Sequence, residues 1–265
     1  SNVNPRPFYY ADIFVDPKNE NRLYSLHSLP TVSDDGGKTF RTVVESRRIH
    51  GDHHAIWLNP NNPKHIISGN DGGVAISRDQ GETWRFVENL PFAQFYHIAV
   101  DREHPYNVYG GLQDNGSWRG PSRVLTSRDG ILNYFWARVG GGDGFAVVPD
   151  MTNPQRTGFA MSQGGNVYRF DLVTGERKNI KPFHPEAAFL RFNWNAAIAQ
   201  DPFDEATIYF GSQFLHKSTD RGDSWAILSP DLTSNDLEKQ KSLQSGGLSL
   251  DGSGAENHTT IITIA

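Results

Sequence analysis

An eight-residue pattern, Ser-x-Asp-x-Gly-x-Thr/Ser followed by an aromatic residue, constrains this chain more than any other feature. It occurs at Ser33–Phe40, Ser77–Trp84 and Ser218–Trp225. One match should arise by chance in roughly one chain in a thousand of this length, so the copies mark a repeated structural unit. The chemistry is that of a hairpin clasp. Asp accepts hydrogen bonds from amides a few residues on, Gly supplies a positive φ, and the Thr or Ser hydroxyl closes the turn. The aromatic starts the next strand and packs between sheets.

A second signal gives the phase. Val15-Asp16-Pro17, Leu58-Asn59-Pro60, Val100-Asp101, Val148-Pro149-Asp150 and Gln200-Asp201-Pro202 each end an alternating run and precede a short β run closing near Gly. A period of about 40–50 residues with four short strands in each is the signature of β-propeller blades. Gly 26, Pro 15 and 12% aromatics suit short strands and many turns. The reading is all-β, a β-propeller of four-stranded antiparallel blades at about 8–45, 53–90, 95–139, 144–181 and 194–229. The innermost strands fall near 8–15, 53–58, 95–100, 144–148 and 195–200. Blade three carries a degenerate clasp at Ser127-Arg128-Asp129-Gly130, and blade four a plain hairpin turn, Asp171–Glu176. A loop or lid at 229–257 follows, with a short helix around Asn235–Ser242, and 258–265 opens a sixth blade. Five blades and one strand predict part of a larger propeller, of seven or more blades, completed by further blades of the same protein or by a partner chain. A five-bladed closure is the other reading.

Composition excludes several function classes. A net charge of −5 without a basic stripe argues against a nucleic-acid partner. No apolar run approaches the ~20 residues of a membrane span, so no membrane insertion is expected. The absence of Cys rules out disulfides, thiol catalysis and thiolate-bound zinc. Without a signal segment or initiator Met, the chain reads as a mature product or a fragment.

In a propeller, the loops into each first strand and the second-to-third-strand turns share one end of the blades, and the clasps lie at the other. The first set supplies Phe8-Tyr9-Tyr10, then His50, Asp52, His53 and His54, then Gln94-Phe95-Tyr96-His97, then Asp143, then Arg191, Asn193, Trp194 and Asn195; the second supplies Asn70, Asp71, Gln113, Asp114, Asn115, Gln163 and Gln213. These residues are expected around the channel mouth as a ligand site. Imidazoles beside a carboxylate suit proton transfer, metal binding or a wet channel wall, but alternation sends His53 and His54 to opposite sides of their strand, and neither metal nor cofactor is expected. Asp52, Asp114 and Asp143 are the catalytic candidates, since two carboxylates ~5–9 Å apart can cleave a glycosidic bond. The competing reading makes Asp71 and Asp143 turn formers in Asn-Asp-Gly-Gly and Gly-Asp-Gly. Gln113, Asp114 and Asn115 ahead of Trp118 suit a sugar. Arg191 suits a ligand carboxylate, or else buttresses Asp143 or Asp71.

The clasps resemble the Asp-box (BNR) repeat of β-propellers. With Gly69–Gly73, Gly111–Gly116, Gly140–Phe145, Arg191–Asn195 and Asp220–Thr233, the chain is most similar to bacterial exported sortilin-like (VPS10-type) propeller proteins, often labelled glycosyl hydrolases, and more distantly to two-propeller xyloglucanases. The resemblance implies an extracytoplasmic protein (periplasmic, cell-surface or secreted). It implies either a module binding a peptide or glycan at the channel mouth, or a glycoside hydrolase or lyase using paired Asp residues. A scaffold subunit completed by a partner chain is the third reading. A sialidase would need three arginines and a Tyr-Glu pair, and these loops offer only Arg191.

Overall fold

The computed structural model describes residues 3, 12–43, 49–90, 92–125, 128–241 and 257–265. The chain divides into two compact units, Ser1–Phe92 and Ala93–Ala265.

The first unit holds two four-stranded antiparallel sheets, each a meander in chain order. Blade one comprises β1 (Ile13–Asp16), β2 (Asn19–Ser25), β3 (Thr31–Ser33) and β4 (Arg41–Thr42). Blade two comprises β5 (His53–Leu58), β6 (Ile66–Asn70), β7 (Gly73–Ser77) and β8 (Arg85–Phe86). Tyr24 and Val32 of blade one are buried with Ile66 of blade two, and Phe14, Ile56, Leu58 and Trp84 pack around them.

The second unit holds three more such meanders. Blade three is β9 (Phe95–Val100), β10 (Asn107–Leu112), β11 (Gly116–Pro121) and β12 (Ala137–Gly140). Blade four is β13 (Val147–Pro149), β14 (Thr157–Ser162), β15 (Asn166–Asp171) and β16 (Arg177–Asn179). Blade five is β17 (Ile198–Gln200), β18 (Ile208–Gly211), β19 (Leu215–Ser218) and β20 (Ala226–Ile227). Tyr109, Val139, Val147 and Ala160 pack blade three on blade four, while Phe159, Met161, Phe192 and Phe210 pack blade four on blade five. The described residues are therefore all-β, in five four-stranded antiparallel sheets of the β-propeller blade kind, and no α-helix is present among them.

Side chains read from the sequence as turn formers hold the turns. Asp101, at the end of β9, accepts from the amide of Asn107 at 2.8 Å, its Nδ2 at 2.7 Å and the Tyr109 hydroxyl at 3.0 Å. Asp201 accepts from the Phe203 amide and the Tyr209 hydroxyl in the same way. The clasps join third to fourth strands and are nearly superimposable in their bonding. In the copy starting at Ser77, the Asp79 carboxylate accepts from Ser77 Oγ at 2.8 Å, Thr83 N at 2.8 Å and Thr83 Oγ1 at 2.6 Å, while Gly81 N donates to Ser77 Oγ. The same four bonds recur around Asp35 and Asp220. Those bonds to the ionised form hold Asp35, where they dominate, and Asp220, where they outweigh a desolvation that pulls the other way, at about 2. The clasp also docks on the preceding blade. Gln80, at φ 62°, turns its carbonyl to Arg22 and Tyr24, and Arg221, at φ 60°, turns its own to Arg169.

Several expectations need correcting. First strands begin later than expected in blades four and five, at 147 and 198, although Phe145 N still donates to Met161 O and Gly211 N to Ala197 O; the expected start of the first strand in blade one, at 8–11, lies outside the described residues. The region of Asn235 forms a single turn, with Asn235 at φ 47°, instead of a helix; Ser242 lies outside the described residues, as do Phe8, Tyr9, Tyr10 and Ser127. The segment 258–265 forms no strand, since it has no ladder partner; Ile261 N donates to Ser212 O at 2.8 Å and its side chain packs over Gly211. The Asp171–Glu176 hairpin stands as expected, with Asp171 Oδ1 accepting from the amides of Val173 and Thr174.

Candidate functional site

In the first unit, the expected residues gather where the loop into β5 meets the turn between β6 and β7. His53 and His54 do point to opposite sides. His53 is fully buried, with Nδ1 2.8 Å from Ser68 Oγ, and burial pushes it down to about 4, so the ring is neutral at pH 7. Its Nε2 and the Nδ2 of Asn70 have no protein partner. His54 is more exposed and pairs with Asp71 at 2.9 Å. Asn70 Oδ1 caps the turn by accepting from Gly72 N. Gly72 is required there, because a Cβ would stand 2.4 Å from that of His50. Asp52 takes a positive φ of 55°, and its carbonyl accepts from the Asp71 amide. Among the described residues, no group of three or more His, Asp or Glu side chains could hold a metal.

The second unit brings together the equivalent loops of blades three, four and five. Asp143 is its centre. This residue is 8% exposed; Oδ1 accepts from Asp114 N at 2.8 Å and Oδ2 from the Trp194 indole at 3.1 Å. The residue read as catalytic or as a local turn former thus links all three blades, and Arg191 does not buttress it. Arg191 pairs with Asp231 at 2.6 Å instead, and also donates to Thr259 O. Gln213, 3% exposed, has both amide atoms on main chain, accepting from Arg191 N and donating to Phe189 O. Asn193 donates to Asn257 O and to Thr260 Oγ1, tying down the segment after blade five. These last three residues position loops.

Around Asp143 lies a neutral amide rim. Gln94 Nε2 donates to Gln113 Oε1 at 2.7 Å, Asn195 Nδ2 lies 2.9 Å from His97 Nε2, and Asn115 braces its own turn through Gln113 O. Gln163 abuts Gly142, where a Cβ would meet its Oε1 at 2.4 Å, and Trp194 O accepts from Gly164 N. Trp118 turns its indole onto Asn115 O at 2.8 Å, and Tyr96 stacks on Phe145 at 4.6 Å. The stretch Gln94–His97, read from the sequence as a loop into a first strand at the channel mouth, carries two rim residues, Gln94 and His97, that are not among the individual site candidates. Asp231 gave no signal, because its partner is 40 residues away.

No protein family profile matches the chain, and no curated protein matches it. Solved structures similar to it include a GH74 enzyme from Niastella koreensis, at 17% identity and a TM-score of 0.36 over 83% of this chain and 38% of that one. Another is the GH74 xyloglucanase from Xanthomonas campestris, at 17% identity and a TM-score of 0.35, over 85% and 39%. A third is YCF48 bound to D1 peptide, at 12% identity and a TM-score of 0.33, over 82% and 67%. The chain thus spans well under half the length of the GH74 enzymes it resembles.

Proposed function

We propose that this chain is a ligand-binding module of an exported Asp-box propeller of the sortilin-like kind, holding a peptide or glycan on the rim of blades three to five. The observation that carries this reading is the state of Asp143. A general acid or nucleophile needs a carboxylate oxygen free to meet substrate. Both oxygens of Asp143 are held by protein donors, and only 8% of the residue is exposed. What faces outward is Gln94, Gln113, Asn115, His97, Asn195 and the half-buried Trp194. Neutral amides donate and accept, which suits peptide groups or sugar hydroxyls, and an aromatic face suits an apolar side chain or a pyranose ring.

The test is a glycan and peptide binding array on the chain, with Asn195→Ala and Gln113→Ala as rim variants and turnover assayed on every bound glycan. Binding that falls about tenfold or more in either variant, without turnover in the parent, supports the module. Turnover abolished by Asp114→Asn would replace it with the glycoside hydrolase reading, and binding indifferent to both rim variants would refute this placement of the site.

A further inference from the structure

The opposite end of blades four and five, where the clasps lie, holds a cavity of about 280 Å³ whose charged lining is Arg156, Arg169, Asp171, Glu176, Lys178 and Arg221. Its origin is visible by comparison with blades one and two. Lys178 pairs in register with Arg169 as Arg41 pairs with Val32, so the two junctions can be matched residue by residue. Phe159 then matches Tyr24, Asp171 matches Asp34, and Thr157 matches Arg22. At the first junction, Arg22 and Arg41 each meet two carboxylates: Asp34 at 2.6 and 3.8 Å, and Glu82 of the next clasp at 3.6 and 2.6 Å. At the second, Arg169 and Lys178 share a single carboxylate, Asp223 of the next clasp, at 3.0 and 2.8 Å. The carboxylate in the Asp34 position, Asp171, is held by Arg156 at 2.6 Å. Arg221 is turned to the fully buried Asp150 at 3.1 Å. The small Thr157 replaces an arginine, and a short hairpin replaces a clasp, which leaves the volume open.

From this mismatch we propose that the cavity is a binding site for a small hydroxylated monocarboxylate, of the uronic-acid class, whose carboxylate takes the second acceptor position facing Arg169 and Lys178. Arg169 donates from Nη1 to Arg221 O and from Nη2 to Asp223, so the ligand carboxylate is held by the remaining N–H groups of Arg169 and by the Lys178 ammonium. Asn153 and the Thr157 hydroxyl, which donates to Asp150 and can accept from a ligand, border the cavity with groups suited to hydroxyls. Asp171 and Glu176 in the lining, with Asp223 beside it, oppose a second negative charge, which favours a monoanion over phosphate. The site is distinct from the amide rim and does not depend on its function.

The experiment is a titration of the whole chain with D-glucuronate at constant ionic strength, read by calorimetry and by amide resonances, with glucose and inorganic phosphate as comparison probes. Saturable shifts at residues 153–178 and at Arg221 are expected. Lys178→Gln, which removes a half-exposed ammonium, should weaken binding about fivefold, and Glu176→Gln should strengthen it by removing a like charge. Lys217→Gln on blade five should leave it unchanged. Absence of saturable shifts at the cavity, glucose binding as tightly as glucuronate, phosphate binding as tightly or more so, or affinity unmoved by Lys178→Gln would each overturn the proposal.

Discussion

Replacing Asp143 by Asn keeps the shape of the side chain and removes its charge and one acceptor oxygen. The two donors now held, Asp114 N at 2.8 Å and the Trp194 indole at 3.1 Å, approach different oxygens. An Asn can satisfy only one; the other donor must face an NH2 group in a site that is 8% exposed. Losing a charge-assisted bond and leaving a buried donor unpaired together cost about 2–4 kcal/mol. For a unit the size of Ala93–Ala265 this corresponds to a fall in Tm of roughly 5–15 °C. Differential scanning calorimetry gives the shift, and urea denaturation followed by tryptophan fluorescence gives the free energy. Trp194→Phe alone removes one donor and should cost about 1 kcal/mol. The double variant should be less destabilised than the sum of the two singles by about 1 kcal/mol, because the amide can turn its NH2 toward the position the indole vacated. A change below about 0.5 kcal/mol in Asp143→Asn, or strict additivity with Trp194→Phe, would refute the assignment of Asp143 as a clamp.

Other outcomes follow from the same structure. His53 and His216 are fully buried and lowered to about 4 by burial, so the unfolded chain takes up their protons first as pH falls. Their stabilisation is present above ~6.5 and is lost as pH falls toward 4, by an amount on the order of 3 kcal/mol each. Chemical denaturation between pH 7 and 4 should show this slope, reduced in His216→Phe; an unchanged slope would count against it. The clasp carboxylates Asp35 and Asp220 act in a lower window, contributing above ~4 and losing that contribution as pH falls through about 2. Ala substitutions at either position should flatten the stability profile only below ~4. Gly111→Ala would place a Cβ 2.0 Å from Phe145 O and should destabilise the second unit by about 3 kcal/mol, measured by urea titration; a neutral effect would show that blades three and four can separate there.

Fold legibility followed from how local the relevant bonds are. The clasps and the turns after first strands are closed by side chains bonding within a few residues, so Asp79 with Thr83 or Asp101 with Asn107 can be read directly from spacing. The innermost strands at 53–58 and 95–100 came out at the expected bounds for the same reason. The site was legible as a set of loops and not as a set of roles. Asp143 looked like a catalytic carboxylate or a turn former in Gly-Asp-Gly, yet its donors lie 29 and 51 residues away, and Arg191 looked like a partner for a ligand carboxylate, Asp143 or Asp71, while its carboxylate lies 40 residues on. Nothing in a residue's neighbours along the chain reports such partners. The cavity beside Lys178 was equally hidden, since it arises from the difference between two junctions that must first be superimposed.

The contact between Asn195 and His97 has a mechanical consequence. Repeat architectures are commonly treated as one-dimensional arrays in which each unit senses only its two neighbours. A bond from blade five to blade three passes over blade four, and Asp143 adds a second such chord through Asp114 and Trp194. Blades three to five therefore form a braced arch, not a string of beads. Fraying cannot begin at blade five without loosening blade three, so amide exchange from the three blades should share one opening free energy.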